Sequence, residues 1–133
     1  VSELFAYGTL RDAEYQHALF GRALPMRPAT LAGWAAVIAE GGYLTVVRAP
    51  GETLAGDLVD LDDAALARAD AWEEVPLYER IRAEARPADG EPVPCWLYVR
   101  PTASRDRAPA GMLARHERTL VLAQIRSCRL SCE

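Results

Sequence analysis

The chain has 133 residues, 50% apolar and 26% charged, which is the size and balance of one globular domain with a single core. A formal charge of −4 gives no electrostatic case for nucleic acid or an anionic membrane surface. All 15 basic residues are arginine, which excludes Schiff-base lysine chemistry, pyridoxal phosphate attachment and a P-loop.

From the N-terminus, Ser2 to Tyr7 reads as a strand that stops at "YGTL", residues 7–10. Asp12 to Phe20 follows as a short helix, with Asp12 as N-cap and Gly21 as C-terminal stop. "ALPMRP" (23–28) reads as a loop with two prolines. Residues 29–40 are strand-like, interrupted at Gly33 by a candidate bulge. Gly41-Gly42 turns the chain into "YLTVVR", and "APGE" (49–52) reads as a second turn. In "TLAGDLVDL" the period-two pattern sets Leu54, Gly56 and Leu58 on one face of a strand.

Asp62 then caps a helix through "DAALARADAWEE". Tyr78 to Arg86 and Val93 to Arg100 read as a hairpin around Asp89-Gly90. Pro101 to Pro109 is a linker, and a final amphipathic helix is expected from Met112 to Ser127. Strands dominate without βαβ alternation. The expected class is therefore α+β: a small mixed, mostly antiparallel sheet, curled or closed into a barrel with a few flanking helices. One domain is expected over residues 1–133, with a linker and helix over 101–133.

Two stretches can carry chemistry. The glycine of "YGTL" lets backbone approach a ligand, and its consecutive N–H groups and the tyrosine's polar tip suit an anionic or carbonyl oxygen. A plain turn is the competing reading. On the second helix, 3.6 residues per turn sets Leu66, Ala69 and Glu73 on one stripe, with Glu74 turned toward solvent. Burial, the neighbouring glutamate and the helix C-terminus would all push the Glu73 carboxyl upward, toward the range of a general base. If the helix instead ends at Trp72, both glutamates are solvated.

The remaining polar groups read as structural. His17 and His116 lack a paired nucleophile, and Ser2, Ser104, Ser127 and Ser131 lack a G-x-S-x-G setting. Asp57, Asp60, Asp62 and Asp63 are explained by strand alternation and capping. Cys95, Cys128 and Cys132 have no C-x-x-C spacing and read as reduced thiols. No metal or cofactor is expected. With no leader of basic start and no membrane-length apolar run, the expected location is the cytoplasm.

Taken in order, "YGTL", "PG" at 50–51, "LAGDLVDL" at 54–61 and "ADAWEEVPLYERI" at 69–81 form a set that resembles the gamma-glutamylcyclotransferase-like family. That family carries a Tyr-Gly-Ser/Thr-Leu loop, a V-x-G-x-(L/V)-(Y/V)-x-L strand, and L-D-x-Y-E-G followed by Tyr-x-Arg. The resemblance spans roughly residues 4–100. It implies a substrate loop at Tyr7, Gly8, Thr9 and Leu10, a catalytic carboxylate at Glu73, and Tyr78 and Arg80 at the Tyr-x-Arg positions, with Tyr78 binding substrate. Ala69, Trp72 and Glu74 stand where the family has leucine, tyrosine and glycine. The implied activity is cofactor-independent cyclisation of a gamma-glutamyl amide to 5-oxoproline with release of an amine. A non-catalytic module on the same scaffold, binding a small molecule or a protein, is the alternative.

Overall fold

The computed structural model describes residues 2–40, 44–72 and 78–108, with the side chains of Thr9 and Trp72 excepted. Five strands, β1 (Ser2–Ala6), β2 (Met26–Ile38), β3 (Leu44–Leu61), β4 (Glu79–Pro87) and β5 (Val93–Val99), close into a barrel in the order β1-β3-β2-β4-β5. Every pairing is antiparallel except the contact of β1 with β5 at Leu4 and Trp96, which closes the barrel. The expected mixed, mostly antiparallel barrel is the observed one.

Alternation along each strand separates two cores, because successive side chains point to opposite faces. Phe5 of β1 and Tyr7 just beyond it, Leu54 and Leu58 of β3, and Cys95 and Leu97 of β5 fill the interior. Leu4 and Ala6, Val59 and Leu61, and Tyr98 point outward into a second cluster, which the helices cover. Each fully buried Leu or Phe contributes about 1.5–3 kcal/mol relative to leaving it in water. Gly56 lies on the inner face between Leu54 and Leu58. A Cβ there would come 2.6 Å from both the Ala6 carbonyl oxygen and Phe5 Cζ, so the Phe5 ring occupies the space a side chain would take.

At Gly33 the expected bulge is present. Its φ of +82° suits glycine, and the β2–β3 register shifts between Ala32 and Trp34. The shift changes the inward-facing phase, so that Ala29 and Leu31 before the bulge and Trp34 and Ala36 after it all enter the barrel. Opposite it, the structure corrects one expectation. Residues 49–52 do not end a strand; β3 runs unbroken from Leu44 to Leu61, with Gly51 at φ +87°. Arg48 pairs with Trp34 and Thr53 with Ala32, so residues 49–52 join two stretches of one long strand that both pair with β2, where an isolated turn would have reversed the chain. A second correction concerns "ALPMRP": β2 already begins at Met26, and Pro28 sits opposite Asp57.

Helix α1 (Ala13–Phe20) has the expected ends. Asp12 accepts the Glu14 N–H at 2.8 Å, and Gly21 is left-handed, its N–H bonded to the His17 carbonyl. Helix α2 (Asp63–Trp72) starts at Asp62, whose Oδ1 accepts the Ala65 N–H at 2.8 Å. Its buried line is Ala65 and Ala69, with Leu66 partly covered beside them. Among the described residues beyond β5, the chain returns to the barrel and pairs Arg107 with Val37. The expected turn at Gly41-Gly42 and helix from Met112 to Ser127 lie outside the described residues.

Candidate active site

The strand-to-helix connection after β1 holds the first group of expected site residues. Tyr7 points into the barrel, and its hydroxyl donates to the Tyr98 carbonyl at 2.6 Å. The expected polar tip thus has a protein acceptor. Gly8 follows, and a Cβ on it would touch the Leu44 side chain at 3.4 Å. Thr9 to Arg11 then form a single 3₁₀ turn, closed by a bond from the Arg11 N–H to the Gly8 carbonyl at 3.1 Å. The Leu10 side chain is buried in the outer core, so only its backbone can meet a ligand.

Two side chains that carry no motif hold this turn in place. Gln16 on α1 is fully buried; its Nε2 donates to the Leu10 carbonyl at 2.8 Å, and its Oε1 accepts the Leu24 N–H at 2.8 Å. Arg11 pairs with Asp57 of β3 at 2.7 Å, both partners largely shielded from water. Asp57 stands opposite Ala6 in the ladder, so the ion pair ties the turn to the strand beside the one it leaves. Two of the four aspartates flagged by sequence have such partners, Asp57 in Arg11 and Asp62 in the cap and in Arg22 at 2.9 Å.

Tyr78, Leu44, Thr45 and Arg100 form the adjoining wall. The Tyr78 hydroxyl donates to the Leu44 carbonyl at 2.8 Å. Thr45 is fully buried, and its hydroxyl both accepts the Arg100 N–H at 2.8 Å and donates to the Arg100 carbonyl at 3.2 Å. This holds the end of β5 against the start of β3 and brings the Arg100 guanidinium to 5.9 Å from the Tyr78 ring. Leu44 is thus the link between Gly8 and Tyr78, two residues separated by seventy positions in sequence.

A third cluster lies on the outer face. Asp70, in the last turns of α2, receives the Tyr98 hydroxyl at 2.6 Å and the Arg80 Nε at 3.2 Å, both on Oδ1. Tyr98 and Arg80 are cross-strand neighbours in the β4–β5 ladder, which is why both reach one carboxylate. Arg80 also lies 4.4 Å over the Trp96 ring, and this face partly offsets the buried Nη1, which has no hydrogen-bond partner among the described residues.

The structure therefore brings together Tyr7, Gly8, Leu10 and Tyr78 of the expected residues, along with the Thr9 backbone. Glu73, the expected catalytic carboxylate, and Glu74 lie outside the described residues, as do His116, Cys128 and Cys132. Gln16, Leu44, Thr45, Tyr98 and Arg100 were not expected. The signal for Gln16 was an amide on the buried side of a short helix; the other four act through backbone groups or long-range pairing, which local pattern does not carry.

Among the described residues no group of three His, Cys, Asp or Glu could hold a metal ion, and no helix is long and apolar enough to cross a membrane. The profile of the family described as "Gamma-glutamyl cyclotransferase, AIG2-like" matches residues 4–116. No curated protein matches in sequence. Among solved structures, a protein from Arabidopsis thaliana is similar at 26% identity and TM-score 0.66, over 74% of this chain; this chain spans only 61% of that one. A gamma-glutamyl cyclotransferase matches at 20% identity and TM-score 0.66, over 76% of this chain and 67% of its own. An uncharacterized protein from Homo sapiens matches at 18% identity and TM-score 0.66, over 95% and 86%. The latter two, at such identities, share the fold.

Proposed function

Since the chain belongs to the gamma-glutamyl cyclotransferase, AIG2-like family, we propose that it cleaves a gamma-glutamyl amide by cyclisation, releasing 5-oxoproline and a free amine. The observation that carries this reading is the meeting of the Tyr7-Gly8 connection with Leu44 and Tyr78 at one end of the barrel. An ordinary turn has no need of a leucine from a second strand beside its glycine, nor of a tyrosine bonded to that leucine's carbonyl.

In this reading Glu73 is the general base. The substrate's α-ammonium cannot attack while protonated, so Glu73 takes one proton from it. The freed amine adds to the γ-carbonyl, and the five-membered ring makes the attack intramolecular, with its proximity already in the substrate. Backbone N–H groups of residues 8–10 hold the oxyanion or the substrate carboxylate. As the C–N bond to the leaving group breaks, protonated Glu73 returns its proton to the departing amine. No redox step occurs; the attacking nitrogen loses its second proton as it becomes the lactam N–H, and the released amine takes that proton and leaves as an ammonium, so protons balance and Glu73 ends as the carboxylate. Tyr78 lines the substrate's side of the pocket. The free, buried Cys95 suits a reducing compartment, and we place the enzyme in the cytoplasm.

The test is to assay 5-oxoproline across a panel of gamma-glutamyl dipeptides and amines. Turnover is expected for at least one member. Glu73→Gln keeps size and hydrogen-bonding reach but cannot accept the proton, and a fall of about 10²–10⁴-fold in kcat is expected, with Glu74→Gln far milder. A folded wild type that binds such amides without turning any over would instead make the chain a binding module.

A further inference from the structure

Tyr98 reaches both the inner and the outer side of the barrel wall. Its backbone carbonyl takes the Tyr7 hydroxyl inside the barrel, and its own hydroxyl reaches Asp70 of α2 on the outside, each at 2.6 Å. The side chain is buried, at 3% exposure, so the hydroxyl has little water to turn to. Asp70 is held from a second direction by Arg80, whose guanidinium rests on Trp96. Both of these side chains stand on β4 and β5, which are paired over seven successive positions from Glu79–Val99 to Ala85–Val93. The anchor is therefore a rigid ladder, and the anchored element is the end of a helix of ten residues.

A short helix frays from its ends, and α2 lacks a basic residue in its last turn to steady its C-terminal carbonyls. A buried phenol bonded to a carboxylate is a short, charge-assisted contact of the strong kind. We propose that Tyr98 is a positioning residue: through Asp70 it fixes the last turn of α2 relative to the Tyr7-Gly8 connection, and so sets the distance between substrate loop and base. This rests on the reading that Glu73, three residues after Asp70 in sequence, is that base. The effect of Tyr98 is geometric, and a displacement of about 1 Å in a catalytic group can cost about 10²-fold in rate.

Tyr98→Phe removes only the hydroxyl. The backbone carbonyl that takes Tyr7 stays, so the substrate loop keeps its support. At a temperature well below unfolding, kcat on the gamma-glutamyl substrate is expected to fall about tenfold or more while KM changes less than about threefold. Amide hydrogen exchange over residues 68–72 is expected to speed up about tenfold or more, with β2 and β3 unchanged. Asp70→Asn, which can still accept from Tyr98, should show a smaller loss, and the double variant should be little worse than Tyr98→Phe alone. An active wild type whose Tyr98→Phe variant keeps its kcat within twofold overturns the proposal. So does a loss that merely tracks the fraction unfolded. If the wild type makes no 5-oxoproline, the proposed reaction fails, and hydrogen exchange decides the positioning role by itself: unchanged protection at 68–72 in Tyr98→Phe refutes it.

Discussion

Among Gly8, Gly33, Gly51, Gly56 and Gly90, Gly56 is where a Cβ would meet the tightest contacts. The Phe5 ring and the Ala6 carbonyl leave no room for even a methyl group, and the carbonyl belongs to backbone that cannot swing aside. Gly56→Ala should therefore destabilise by about 1–3 kcal/mol or more, the usual cost of overpacking a filled core. Gly90 is the natural control: a Cβ there meets nothing within 4 Å. Gly90→Ala should be neutral, or stabilising by a fraction of a kcal/mol through reduced freedom of the unfolded chain. Urea unfolding of the two variants separates a steric requirement from a mere loss of glycine. The period-two pattern had already set Gly56 on the face of Leu54 and Leu58. That a ring from β1 occupies its place is a property of the closed barrel.

Helix α1 shows how a short element is held by more than its own residues. Its N-cap is local: Asp12→Ala should cost about 1 kcal/mol. Gln16 is different in kind, since it satisfies the Leu10 carbonyl on one side and the Leu24 N–H on the other. Gln16→Leu leaves both without their partner in a buried setting, at about 1–3 kcal/mol for each. Thermal unfolding should rank Gln16→Leu clearly below Asp12→Ala. Should the two variants melt together, the amide is not the anchor of the 8–10 turn. The caps of both helices were legible in sequence because an N-cap is an interaction over two or three residues. The inclusion of residues 49–52 in β3 was not, since Pro50-Gly51 has the local chemistry of a turn, while pairing with β2 continues on both sides of it, across from the bulge at Gly33.

At the scale of the whole molecule, the closed barrel controls the titration of Cys95. Burial pushes its thiol up from 9.0 to about 11. Between those values the folded protein keeps a proton that the unfolded chain has lost, so unfolding releases a proton and rising pH favours it. The contribution is intact below pH 9 and is lost at about 1.4 kcal/mol per pH unit above it, until the folded thiol itself ionises. Measured by urea unfolding from pH 8 to 10.5, the wild type should lose stability more steeply than Cys95→Ala. The difference in slope, rather than the absolute stability, reads the thiol, because both proteins share every other alkaline group. Equal slopes would mean that the thiol is solvated. Exposed groups behave otherwise: Arg107 holds the Glu52 carboxyl below its usual range by a hydrogen bond at the surface, where the pair is screened by water and salt.

Alternating apolar residues, caps at Asp12, Gly21 and Asp62, and the Asp89-Gly90 hairpin were enough to define the α+β class and most of the described elements, since each depends on residues within a turn or two of each other. The ordered motifs that resemble the family, spread over residues 7–81, gave the expectation that Tyr7, Gly8 and Tyr78 serve one site. How these are brought together was beyond local reading. Leu44 links Gly8 to Tyr78, Thr45 locks Arg100, and Tyr98 connects Tyr7 to Asp70. These contacts join positions 28 to 91 residues apart, and several run through backbone carbonyls that every residue type carries. Such contacts have no sequence signature; they exist because β5 closes against β1 and places both faces of one strand between the loop and the helix.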